Sequence, residues 1–458
     1  MPDLPPELWT QIFAFAADEA LILQHRLPTS MSGGERNPRR SQEALELVQR
    51  RSYDTKKAIV LTCKKWRAIE YQSLFHFLCF RAPSRLCDIL DTSAAAATTT
   101  TASLGWWTRR IQLAGINNDT ATPQEHLDVL QNALIRILRH CPNLEILVVQ
   151  WPLDGGAFAA IADALVRHAA SSLRTLFVTI PASALHKLVT ILPALPFICA
   201  AHINLHPGGQ PAITPAGSDD CLRLPSLRQL SLSGRPHQLI HVAKHWHLSA
   251  LRTFMLSCAT STEAQLPATP AFLAAHGAQL TTLELSSWPA MPLARMLAAC
   301  PALITLAFSG DWALDLPSDA GAPPDTPPFA HARLARVGLH GLVHTFCLDP
   351  FFDTGSEAEL EAAQMNERVL ALLCDRVRFP ALRRLRLLTG HVVRERERAQ
   401  VDGDGDDTAR REARIWARWE GMYARAEIQL EDCSGQVLPP WPWVPTDRHD
   451  DEVKQTGD

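Results

Sequence analysis

Leu144-Glu-Ile-Leu147-Val-Val149 is followed by Leu173-Arg-Thr-Leu176-Phe-Val178, and the same spacing of apolar residues, at a first position, at +3 and at +5, keeps returning. The later copies are Leu227-x-x-Leu230-x-Leu232, Leu251-x-x-Phe254-x-Leu256, Leu280-x-x-Leu283-x-Leu285, Leu303-x-x-Leu306-x-Phe308, Leu334-x-x-Val337-x-Leu339 and Leu382-x-x-Leu385-x-Leu387. Successive starts lie 29, 54, 24, 29, 23, 31 and 48 residues apart. A weak copy, Ala200-x-x-Ile203-x-Leu205, splits the widest gap, and another, Ile111-x-Leu113 behind Trp106 and Trp107, precedes the series. The last two apolar positions alternate with other residues, as a short strand with one buried face requires. The first position reaches the same core from the turn before the strand. Helical patterns fill the gaps at 127–138, 158–168, 184–192, 238–245, 292–299 and 366–374, each stopped by Pro, Gly or a polar break. A unit that recurs at such intervals cannot bury its own apolar face and must stack on its neighbours.

Strand, loop and helix repeated behind an LxxLxL signature resemble a leucine-rich-repeat array, irregular in repeat length and lacking the Asn that regular families place after the strand. The resemblance implies an α/β solenoid over 104–433, with strands along a concave face. The residues beside the buried positions would face that concavity. In mid-array they are small and polar, including Gln229, Ser231, Thr253, Thr282, Glu284 and Thr305. Toward the C-terminal end they turn basic, with Arg336, His340, Arg384 and Arg386. One hypothesis for that end, standing behind the ordinary reading of a charge run as solvated surface, is that it receives an acidic or phosphorylated segment of a target, since arginine forms charge-assisted bidentate bonds with such groups. The ordinary reading is a solvated basic patch offset by the acidic loop around 402–407.

The first eighty residues read differently. Pro5, Pro6 and Glu7 suit the first turn of a helix, and Leu8 with Ile12 and Trp9 with Phe13 form two neighbouring apolar stripes. A polar stretch with Gly and Pro, 28–41, reads as a mobile loop, and a second helical pattern covers 42–51. Leu4-Pro5-x-Glu7-Leu8-x-x-x-Ile12-Phe13, then Leu61-x-Cys63-Lys64-x-Trp66 and Leu74-Phe75, resembles the F-box, with an insertion of roughly thirty residues after the first helix. The order of elements and the residue type at most marked positions agree with the fungal members of that family. The resemblance implies a small all-α domain that docks a Skp-type adaptor, and through it a cullin, using Leu4, Pro5, Leu8, Ile12, Phe13, Leu61, Cys63, Lys64, Trp66 and Leu74. The expected organisation is an F-box-like domain over 1–80 with a loop inserted at about 24–57, a linker over 81–103, the array, and a Pro/Trp-rich then acidic tail over 434–458.

With F-box and repeats in this order, the chain resembles a substrate receptor of an SCF-type ubiquitin ligase, which holds a protein target near a ubiquitin-charged enzyme and breaks no bonds itself. The other reading is a non-ligase scaffold on the same repeats, with a degenerate F-box. An unrecognised hydrolase ranks behind both.

The composition fits this placement. Length 458, 47% apolar content and 20% charge describe a globular chain of more than one unit, and a net charge of -4 gives no reason to expect nucleic acid. No leader and no membrane span are expected, since the longest apolar run, 188–201, is short and holds two prolines. Eleven scattered cysteines without a Cys-x-x-Cys pair read as free thiols in a reducing compartment, cytoplasmic or nuclear. Asp402-x-Asp404-x-Asp406 lacks the Gly and Glu of a calcium loop, for Asp407 and Ala413 stand there. His241 and His245 share a helix face, but Val242 replaces the glutamate of a zinc protease. No metal or cofactor is expected.

Overall fold

The computed structural model describes residues 4–31, 38–80, 83–97, 103–113, 124–206, 222–257, 268–286, 291–310, 330–342, 367–389 and 407–439. Its organising element is one sheet of twelve strands, all parallel, in which every strand pairs with its neighbours in sequence. The strands are β1 Phe77–Phe80, β2 Arg110–Leu113, β3 Ile146–Pro152, β4 Thr175–Pro181, β5 Ala200–His206 and β6 Gln229–Gly234. They continue as β7 Thr253–Leu256, β8 Thr282–Leu285, β9 Thr305–Ser309, β10 Arg336–His340, β11 Arg384–Leu387 and β12 Gln429–Glu431. A parallel pair needs a crossover between its strands, and helices supply most of them. At the N-terminus stand α1 Pro6–Ala16, α2 Glu19–Ile22, α3 Pro38–Thr62 and α4 Lys64–Glu70. The crossover helices are α5 Pro83–Ala96, α6 Gln124–His140, α7 Gly155–His168, α8 Leu185–Ile191, α9 His237–Ala243, α10 Thr269–His276, α11 Leu293–Ala299, α12 at 367–373 and α13 Asp407–Arg425.

The eight strong copies of the spacing put their three apolar residues into one continuous core. Leu147, Leu176, Leu230, Phe254, Leu283, Leu306, Val337 and Leu385 stand in register along the sheet, none more than 1% exposed. The first position of each copy is buried in the turn that precedes its strand, as at Leu173, Leu227 and Leu303. Each such leucine removed from water contributes roughly 1.5–3 kcal/mol. Crossover helices close the core from the other side with Phe158, Ile161 and Leu165 of α7, Leu239 and Ile240 of α9, and Phe272 of α10. Asp154 starts α7 by accepting the Ala157 N–H at 2.7 Å. Trp416, Trp419 and Tyr423 of α13 pack into the last unit, and the Tyr423 hydroxyl donates to the Leu370 carbonyl at 3.2 Å. The chain is therefore of the α/β class, and no helix among the described residues is long and apolar enough to cross a membrane.

Four expectations need correction. The weak copy is Ile198-x-x-Ala201-x-Ile203, two residues earlier than its pattern, because β5 pairs Ala201 with Leu176 and Ile203 with Val178. The small Ala201 hid the true register. The stretch 81–103 is not a linker, since α5 lies in it with Cys87 and Leu90 fully buried in the core. The helical N-terminal unit also ends in a strand, for β1 pairs with β2. Finally, the region 24–57 is not one loop: α3 covers it from Pro38 onward, and Leu27, Ser30 and Met31 of the irregular residues before it lie against the sheet, while 32–37 fall outside the described residues. The acidic stretch 402–406 and the tail from 440 fall outside the described residues.

Cys141 and Cys300 are free, and burial pushes both thiols up to about 12, so neither is a thiolate near neutral pH.

Candidate functional site

Two surfaces gather the residues that the sequence singled out. The first is built by α1, α3 and α4, which pack on one another. One stripe of α1 faces inward. Phe13 is 3% exposed, and its ring centroid lies 5.4 Å from Trp9 and 5.1 Å from Trp66, which is itself 5.1 Å from Trp9. This aromatic trio fixes α1 on α4. Phe13 thus holds the unit together and is not presented to a partner, because the trio encloses it. The other stripe faces out, with Leu8 43%, Ile12 45% and Phe15 87% exposed, and Leu61 at the end of α3 is 63% exposed. Leu21, Leu47, Tyr53 and Tyr71 of the same unit are exposed as well, so its apolar surface is larger than scattered surface residues require, and Leu8, Ile12 and Phe15 are the part of it that forms one helix stripe.

Lys64 and Pro5 are also exposed, whereas Leu4, Trp66 and Leu74 are half-buried. Cys63 has a local task, accepting the Trp66 N–H on Sγ at 3.4 Å as the N-cap of α4. Phe15 was missing from the sequence-derived set. Its place seven residues after Leu8, on the same helical stripe, was the signal for it.

A buried polar cluster keys this unit to the sheet. Lys56 Nζ donates to Glu19 Oε1 at 3.0 Å and to the Ser73 carbonyl at 3.0 Å, and His76 Nδ1 lies 2.5 Å from Glu19 Oε1. The Ser73 hydroxyl donates to the Glu70 carboxylate. Burial works to raise the Glu19 pKa, but the hydrogen bond from His76 and the charge of Lys56 outweigh it and hold the carboxyl below its ordinary value. Burial dominates at Glu70, whose pKa is raised. Lys56→Met leaves the Glu19 charge buried without its main cation, so a loss of about 3–5 kcal/mol is expected. Denaturant unfolding followed by circular dichroism checks this; a midpoint unchanged from the parent chain would refute it.

The second surface is the outward face of the sheet, opposite the leucine core. The residues at 22–31, between α2 and α3, run across it. Arg110 Nη1 on β2 donates to the Ile22 carbonyl at 2.8 Å, and the Thr175 hydroxyl on β4 donates to the His25 carbonyl at 2.7 Å. The Leu27 N–H donates to Gln229 Oε1 on β6 at 2.8 Å, and the Ser30 N–H to Glu284 Oε2 on β8 at 2.9 Å. Arg386 Nη1 on β11 donates to the Met31 carbonyl at 2.8 Å. Beside the sheet, His25 Nε2 lies 2.7 Å from Glu145 Oε2. An extended chain advances about 3.4 Å per residue and strands stand about 4.8 Å apart, so passing from β4 at His25 to β8 at Ser30 leaves little slack.

Two side chains of the segment anchor it. Leu27 packs with Ala200, Met255 and Cys199, and Met31 with Ala307 and Leu388. Gly338 of β10 makes room for Met31, since a Cβ there would lie 2.6 Å from the Met31 sulfur. α3 then returns, and Gln49 Nε2 donates to Gln112 Oε1 of β2 at 2.9 Å.

This segment changes the meaning of the basic end. Arg386 is buried, with Nε and Nη2 donating to Glu431 Oε2 at 2.9 and 2.7 Å. Its guanidinium is engaged by β12 and by Met31, so it is not an open receptor for an acidic target, in contrast to the expectation. Arg384 stays half-exposed with Nη1 3.4 Å from Glu431 Oε1, Arg336 is exposed, and His340 is half-buried. Ala200, Ala307 and Gly338 carry no polar side chain among outward positions that are mostly polar, which is the trace these seats leave in the sequence.

On the same face His202 stacks on Phe177 with centroids 3.9 Å apart and lies 2.8 Å from the Ser231 hydroxyl through Nδ1. Burial lowers its pKa to about 4. The folded chain therefore resists protonation that the unfolded chain, with an ordinary imidazole near 6.5, accepts. This contribution is intact above about pH 6.5 and is lost as pH falls toward 4, on the order of 3 kcal/mol for a shift of this size. The expected result is that His202→Asn flattens the acid side of the stability–pH curve; an identical slope in both chains would contradict it.

Among the described residues, no group of three or more His, Cys, Asp or Glu is placed to hold a metal ion. Compared with known proteins, the chain matches no family model and no curated protein.

Proposed function

We propose that this chain is the substrate receptor of an SCF-type ubiquitin ligase, an F-box-like unit followed by an irregular leucine-rich-repeat solenoid. The observation that carries the reading is the outward stripe of Leu8, Ile12 and Phe15 on a helical unit fixed to one end of a long parallel sheet, with Leu61 also exposed on that unit. An apolar stripe left open on such a unit suits a helical adaptor, because the aromatic trio behind it holds the helix still and little order must be gained on docking. The adaptor would connect to a cullin, and the repeats would hold a protein target. Catalysis then consists in raising the local concentration of target around a ubiquitin-charged enzyme, in the cytoplasm or nucleus.

The test is direct. The full chain mixed with a purified Skp-type adaptor is expected to co-elute with it as one complex. Failure to form that complex at micromolar concentration removes the receptor reading and leaves the scaffold.

A further inference from the structure

We infer that the outward face of the sheet is a binding site for an extended protein segment with two aliphatic side chains four residues apart, and that residues 22–31 occupy this site in cis. The inference rests on reading the sheet as the target-recognition module of a receptor. Its basis is the kind of contact made. Arg110, Thr175, Gln229, Glu284 and Arg386 each reach out from the sheet to a main-chain carbonyl or N–H of the segment. Such contacts recognise an extended backbone whatever its side chains are. Selectivity comes from two seats, Ala200 with Met255 for Leu27, and Ala307 with Gly338 and Leu388 for Met31. Between them Pro28 is exposed and carries no N–H to satisfy, so the chain crosses without an orphan donor at that point.

The segment is held as a ligand would be held. Gln24, Arg26 and Pro28 point to solvent, while Leu27, Ser30 and Met31 are buried. It adds no strand to the sheet and supplies nothing to the leucine core on the opposite face. Tethered at both ends, it competes at high effective concentration. A target segment of the same chemistry must therefore either carry further contacts or meet a chain in which the cis segment is weakened.

Binding of a labelled synthetic peptide with the sequence of residues 21–32 tests this on the full-length chain. Fluorescence anisotropy would compare the parent chain, a Leu27→Asn/Met31→Asn chain, and that double variant with Gly338→Val added. The double variant is expected to bind the peptide at least about tenfold more tightly than the parent, since its own segment no longer competes well. Gly338→Val, which fills the Met31 seat, is expected to abolish the gain, and a peptide with Asn at both anchor positions is expected not to bind. A folded double variant that binds no better than the parent overturns the proposal, as does indifference to Gly338→Val.

If the double variant does not fold, hydrogen exchange on the parent chain decides. The Leu27 and Ser30 amides should exchange at least about ten times faster than those of Leu230 and Leu283, as local opening without global unfolding requires. Equal protection overturns the proposal. Adaptor capture by the same proteins separates the two readings. Peptide binding without adaptor capture sinks only the receptor assignment, and adaptor capture without peptide binding sinks only this site.

Discussion

Ile12→Asp is expected to abolish adaptor capture while leaving the chain folded. Ile12 is exposed and shares a stripe with Leu8 and Phe15, so the substitution places a carboxylate where the proposed interface would exclude water. A residue at the centre of such an interface typically carries 2–4 kcal/mol or more, so affinity should fall by roughly 30- to 1000-fold. The inward stripe is untouched, because Trp9 and Phe13 still meet Trp66. The melting temperature should stay within a few degrees of the parent. Phe13→Asp makes the contrast: it should lose both stability and capture, since it destroys the trio. Calorimetric titration with purified adaptor gives the answer, and an Ile12→Asp chain of parental affinity would show that the stripe is not the docking face.

Arg386→Met is expected to lower stability by about 3–5 kcal/mol, because it strands the buried Glu431 carboxylate and releases the Met31 carbonyl. Arg384, 3.4 Å from the other carboxylate oxygen, softens the loss without abolishing it. Removing both charges with Arg386→Met/Glu431→Leu should recover most of the stability, since no uncompensated charge then remains in the interior. Thermal unfolding of the three chains measures the cycle. An Arg386→Met chain whose midpoint stays in place would show that the buried Glu431 does not depend on this cation.

These two residues also show what the sequence could and could not reveal. The sheet is readable because a strand with one buried face writes its period into the chain, and apolar residues at +3 and +5 do so eight times. Where the apolar position was occupied by Ala201, the period faded and the register slipped by two. α5 escaped because its Ala/Thr composition resembles low complexity, although Cys87 and Leu90 point into the core. The outward face was assigned to the right residues, yet its occupancy was not legible. Leu27 and Met31 are isolated apolar residues in a polar stretch, and nothing local says that they meet Met255 or Gly338, more than two hundred positions away. Likewise Arg386 looked like a free cation because its carboxylate lies on another strand. Periodicity reports which way a side chain points; it does not report what already stands there.

The bond from Arg386 to the Met31 carbonyl spans 355 positions of sequence. Strands that touch only the strand before and the strand after would ordinarily assemble in order as they leave the ribosome. Here the Met31 contact must wait for β11. At roughly 5–20 residues per second, about 20–70 s separate the synthesis of Met31 from that of Arg386. For that interval Leu27 and Met31 have only part of their berth, and this segment can finish docking only once β11 has been made.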